Sequence, residues 1–125
     1  MTRQIDFAGK SGTIYRYTSL DEQRPTPPAG ANFVVAEISD KGVSIVFAGE
    51  TDNLARGDWR SALEEARERY ERVEVLTRLN VRSAVRREEL ADLAEQHQPP
   101  MNPVEDQERA ATPQAGQGDS AGDPN

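Results

Sequence analysis

The chain has 125 residues, no cysteine, one histidine and a formal net charge of −7. That length holds one domain. The lack of cysteine excludes disulfides and thiolate metal sites, the single His97 excludes the histidine-rich zinc constellations, and no apolar run is long enough to span a bilayer. The N-terminus lacks the apolar stretch of a signal peptide, so the expected location is the cytoplasm.

The first elements read as an N-terminal β-hairpin. Ile5 and Phe7 alternate with polar neighbours in Arg3–Ala8, Gly9 to Gly12 supply turn residues, and Thr13–Thr18 is rich in β-branched and aromatic residues. Alternation predicts one wet face. Asp21 to Gly30 carries Pro25, Pro27 and Pro28 and is a loop. Ala31–Ile38 and Val43–Ala48, joined by Ser39 to Gly42, form a second hairpin, the most apolar part of the chain and the expected centre of the sheet.

Gly49 to Gly57 reads as a polar loop. Asp58 is placed to cap a helix on which Trp59, Ala62, Leu63, Ala66 and Tyr70 recur at helical spacing, with Trp59 anchoring its start on the sheet. Glu65–Arg69 and Glu68–Arg72 have the acid-first order that stabilises an exposed helix face. Val73, Val75, Thr77 and Leu79 alternate as a strand. Ser83 is placed to cap a last helix that turns Leu90, Leu93, Ala94 and His97 inward and stops at Pro99-Pro100. The sum is an α/β (α+β) domain over residues 1–103: a small, mostly antiparallel sheet with two helices packed on it, preceded by the hairpin. From Val104 to Asn125 the sequence lacks aromatics and apolar periodicity, carries a net −4, and reads as a disordered acidic tail.

Several short motifs occur in an order that resembles the GIY-YIG nuclease domain. Ala31-Asn32-Phe33 stands at the first signature and Phe47-Ala48-Gly49-Glu50-Thr51 at the second. Asp52 to Arg56 lead toward an arginine, and Pro99-Pro100-Met101-Asn102 stand at the closing proline–asparagine. The resemblance covers residues 31–102 and implies the fold of that family. Its active members place two tyrosines, an arginine and a glutamate around one divalent metal, Mg or Mn, so that water is activated, phosphate charge neutralised and the metal held.

This chain departs from that pattern at each catalytic place. Phe33 and Phe47 stand for the tyrosines and carry no hydroxyl; the arginine place falls on Gly57 with Arg56 one residue early; the glutamate place falls on Leu90 with Glu89 one residue early. One residue along a helix turns a side chain by about 100°. The expectation is a non-catalytic binding module with no cofactor, meeting DNA or RNA weakly, or a protein partner. A metal-dependent endonuclease using Arg56 and Glu89 is one alternative, and a protein-only adaptor the other. Arg56, Arg60, Arg78, Arg82 and Arg86 are the candidate phosphate contacts, although a core of net −3 works against strong nucleic-acid binding. Gly49 is expected to form a bend, Thr51 to belong to the same motif, and Asn102 to hydrogen-bond the loop after Val43–Ala48. Phe33 and Phe47 read most simply as core residues, and His97 as a partner of a helix C-terminus.

Overall fold

A computed structural model describes residues 3–102, so the tail expected from Val104 lies outside the described residues. The elements are β1 (Gln4–Ala8), β2 (Ile14–Ser19), β3 (Ala31–Ser39), β4 (Gly42–Thr51), a 3-10 turn (Leu54–Arg56), α1 (Trp59–Arg69), β5 (Val73–Leu79) and α2 (Ser83–His97). The α+β class and the N-terminal hairpin are as the patterning predicts. Every strand pair is antiparallel, in one five-stranded sheet of order β1-β2-β5-β3-β4.

The order corrects one expectation. The apolar hairpin β3–β4 is not the centre of the sheet: β5 is, and β4 lies at an edge. Local patterning fixes each hairpin but not which strand a later segment joins. Here β5 pairs along β3 from Ala31↔Leu79 to Glu37↔Val73, which leaves β3 with neighbours on both sides and buries its first six residues.

The two helices lie on opposite faces. Alternation along β3 sends Ala31, Phe33 and Val35 to the α1 side and Val34 and Ala36 to the α2 side. A bulge opposite Val35/Ala36 inserts an extra β4 residue, so Val46 and Phe47 both turn toward α1 while Ile45 and Ala48 turn toward α2. On α1, Trp59, Leu63 and Ala66 form the buried stripe; Trp59 is fully enclosed and its indole N–H donates to the Leu54 carbonyl at 3.4 Å.

The buried stripe of α2 is Arg86, Glu89, Leu93 and Ala94, with Leu90 and His97 half-buried. Its spacing is helical, but its first half is charged. A reading that follows apolar periodicity therefore finds only the second half and turns Leu90, rather than Arg86 and Glu89, fully inward.

The caps differ too. Asp58 has helical φ −57° and ψ −26° and makes no side-chain cap bond; its carboxylate accepts from the Thr51 hydroxyl at 2.9 Å. The unforeseen 3-10 turn is the element that is capped, by Asn53 Oδ1 accepting from Ala55 N at 3.0 Å, and it closes on Gly57 at φ +79°. Ser83 is the first helical residue of α2, behind Arg82, and no side chain caps that helix. The Glu65–Arg69 pair forms at 2.8 Å, whereas Arg72 turns to Glu74.

Candidate polar network and surface cleft

The residues that carried the expected site are distributed over both faces of the sheet. Phe33 and Phe47 stack at 6.0 Å between centroids on the α1 side, whereas Glu89 and Leu90 project from α2 on the other. Gly49 sits inside β4 without a positive φ; a Cβ there would stand 2.8 Å from the Phe33 ring, so the glycine serves close approach and not the expected bend. Gly57, at the expected arginine place, closes the 3-10 turn.

Asn102 bonds the last residue of the expected Val43–Ala48 strand, which lies inside β4. It clasps the strand itself: Ala48 N donates to Asn102 Oδ1 at 2.8 Å, and Asn102 Nδ2 donates to Ala48 O at 2.9 Å. Met101 N donates to Val46 O at 2.9 Å, so the segment just after α2 covers part of the β4 edge.

The five arginines do not make one continuous basic surface. Arg86 is buried, donating from Nε to Glu50 at 2.6 Å and from Nη1 to the Asn80 carbonyl at 2.9 Å. It lies against Gly30, where a Cβ would come within 2.3 Å of Nη1. Its own carbonyl accepts from Asn32 Nδ2 at 3.0 Å. Arg56 is held by Asp58 and Asp52, which raise its pKa, and Arg56 in turn, with the Thr51 hydroxyl, draws Asp58 below the ordinary carboxylate value. Arg60 lies over the Trp59 ring at 4.3 Å. Arg78 donates from Nε to Glu89 at 3.0 Å, and Arg82 stands exposed before α2.

Glu89 is thus an interior acceptor. It is 3% exposed and takes one hydrogen bond per oxygen, from Arg78 and from the hydroxyl of fully buried Tyr17 at 2.7 Å. Burial, then the Glu89 charge, raises the Tyr17 pKa and keeps it a donor. One helical turn on, Asp92 accepts from Tyr15 OH at 2.8 Å, from Ser11 N at 2.8 Å and from Ser11 Oγ at 2.7 Å. Desolvation pushes Asp92 up, but these hydrogen bonds outweigh it and hold the carboxyl below its ordinary value. Tyr15 is pushed up to about 12, by burial first and by Asp92 second. His97 Nε2 donates to the Ala8 carbonyl at 2.8 Å, with its ring edge-on to Phe7.

The network built by Tyr15, Tyr17, Arg78, Glu89 and Asp92 ties the N-terminal hairpin to α2. Tyr15 and Tyr17 share a strand face and Glu89 and Asp92 share a helix face, which was the available sequence signal. The implied divalent metal does not fit these residues: Glu89 is occupied by Tyr17 and Arg78 and lies across the sheet from Phe33 and Phe47. Among the described residues, no group of three or more acidic, histidine or cysteine side chains is placed to hold a metal ion.

The open feature is elsewhere. β2 and β5 pair at Thr18↔Thr77 and Ser19↔Leu76, with Leu20 N donating to Val75 O just beyond, and part on the other side of Thr77. The fork opens into a cleft of about 530 Å³ lined by Leu20, Pro27, Leu54 and Leu79 together with Arg16, Thr18, Thr77 and Arg78. Beside it, Leu79 and Val81 are 60% and 79% exposed.

Neither the protein-family models, nor the curated proteins, nor the solved structures give a match to this chain. The class of protein is therefore defined by the fold itself, an antiparallel α+β sheet between two helices. Among the described residues no helix is long and apolar enough to cross a membrane.

Proposed function

We propose that this domain is a non-catalytic binding module that engages a protein partner at the cleft where β2 and β5 part. The observation that carries the reading is the contrast between that cleft and the polar groups inside. Glu89, Arg86 and Tyr17 are consumed by internal partners, whereas Leu79 and Val81 stand in water beside a cleft of mixed apolar and polar lining. Neighbouring exposed apolar side chains next to a concavity are the usual mark of a contact surface. Descent from a GIY-YIG nuclease belongs to the same proposal, supported by the hairpin–helix–strand–helix order and by the closing Asn102. So does a cytoplasmic setting. A protein partner is favoured over DNA or RNA because Arg56, Arg78 and Arg86 already face carboxylates.

A photo-crosslinking residue introduced at position 79 tests this in cells. A defined crosslinked product is expected at position 79, and none from position 64 on the outer face of α1. Equal products from both positions would overturn the reading. In parallel, the pure protein is incubated with plasmid and Mg²⁺ or Mn²⁺. Cleavage that is lost in Glu89→Gln would restore the nuclease alternative.

A further inference from the structure

Beyond Thr77 the backbone of β5 loses β2 but stays extended. Leu20 N donates to the Val75 carbonyl, so the odd residues of β5 turn their backbone groups toward β2 and the even ones toward β3. Asn80 N still donates to Gly30 O on the β3 side at 2.9 Å, and Arg82 keeps extended φ −97° and ψ 114°. Leu79 and Val81 therefore present their N–H and C=O groups to the side that β2 has vacated. An open strand edge that also displays apolar side chains is a template for another strand.

The sequence of that edge, Arg78-Leu79-Asn80-Val81-Arg82, narrows the occupant. Leu79 lines the cleft and Arg78 reaches Glu89 on the α2 side; the same alternation carried past β5 would put Val81 with Leu79 and Arg82 with Arg78. A second copy paired antiparallel about Asn80 would set Arg78 of each chain across from Arg82 of the other, a like-charge opposition that disfavours self-pairing. A strand with acidic residues on one face and apolar residues on the other meets no such opposition. Arg78 is held by Glu89 and lies over the Tyr15 ring, and Arg16 is paired with Asp6, so Arg82 is the exposed cation beside this edge.

We infer that Leu79–Val81 receives an extended segment of a protein partner as an added strand, alternating acidic and apolar residues. Main-chain bonds hold it, the cleft takes an apolar side chain, and the exposed Arg82 selects the acidic face. This rests on the binding-module reading above and specifies its partner.

The probe is a blocked heptapeptide of alternating aspartate and valine, compared with its lysine–valine counterpart. Each is titrated into the full chain while the Leu79 and Val81 amides are followed by NMR. The acidic peptide is expected to shift both amides and slow their exchange, to bind about tenfold more tightly than the lysine form, and to weaken as salt rises. Val81→Pro, at an exposed position, removes one donor and is expected to abolish the effect while other amides stay in place. Arg82→Glu is expected to narrow or reverse the charge preference. Unmoved amides, equal affinity for the two peptides, or unchanged binding by Val81→Pro would each overturn the inference, as would a DNA duplex that moves the same amides more strongly. A specific crosslink from position 79 together with inert peptides would leave the module standing and remove strand addition.

Discussion

The two faces of this sheet are closed by different physics. On the α1 side Trp59, Leu63, Phe33, Val35 and Val75 exclude water by apolar contact. On the α2 side an apolar cluster around Phe7, Val34, Leu76 and Leu93 is joined by Arg86, Glu89 and Tyr17, which are burial-compatible only because each has a partner at hydrogen-bond distance. Apolar burial is non-directional and tolerates small shifts. A buried polar network stabilises only when every member is satisfied, and it fixes position more tightly for that reason. The α2 side is also where the N-terminal hairpin docks, joined to β5 by two residue pairs and to α2 by Glu89, Asp92 and His97. The hairpin's position is therefore set by polar side chains together with the Phe7 and Tyr17 rings, and the α1 core by volume.

The largest expected effect comes from the apolar side. Trp59→Ala empties a fully enclosed site and is expected to cost roughly 3–5 kcal/mol in denaturant unfolding. The loss should be the same at pH 5 and pH 8, because no titrating group in either range touches that stripe. A small loss would show that the α1 face is not the main core.

A smaller loss is expected at the centre of the other face. Glu89→Gln keeps the shape but replaces a charge-assisted acceptor of Arg78 and Tyr17, at a cost of about 1–3 kcal/mol. In a double-mutant cycle, Glu89→Gln and Tyr17→Phe should cost clearly less together than the sum of the single changes, since both break one network. Additive losses would dissolve the contrast between the faces. Amides of β1 and β2 are expected to lose exchange protection in Glu89→Gln before those of β3.

The smallest effects are those of pH, and they should arise on the α2 side. Asp92 has a folded pKa below its ordinary 3.8, so its contribution is present above that value and disappears as pH falls through the lower, folded one. Tyr15 has its pKa raised from 10.0 to about 12, so its contribution is intact below 10.0 and is lost as pH rises through about 12. Asp92→Asn is expected to flatten the acid limb of a melting-temperature profile and Tyr15→Phe the alkaline limb. Unchanged limbs in both variants would show that the hairpin latch does not govern stability at either extreme.

Phe47 shows how the tertiary arrangement resets an estimate made from sequence. On a central strand its removal would rank with that of Trp59. On the edge strand it is half-buried and stacked on Phe33, so Phe47→Ala should cost less than Trp59→Ala.

All five strands and both α-helices were legible along the chain, although β4 runs on to Thr51 through part of the expected loop and the 3-10 turn was not foreseen. Period-2 alternation in Ile5/Phe7 and Tyr15/Tyr17, helical spacing in Trp59/Leu63/Ala66, and the proline and glycine stops are local, and local signals survive in a linear reading. Only the tertiary structure decided that β5 takes the centre, because strand neighbours are chosen by long-range pairing that no single segment encodes. It alone decided that Arg86 and Glu89 go inside. A charged residue is buried when a partner from a distant segment, Glu50 or Tyr17, arrives at the right distance, and neither partner can be read from the helix that carries it. The resemblance quoted residues that now lie on opposite faces of one sheet, since spacing along the chain does not say to which side a strand or helix turns its side chains. The open edge at Leu79 and Val81 was invisible for the same reason: it exists only because β2 leaves β5 after Thr77.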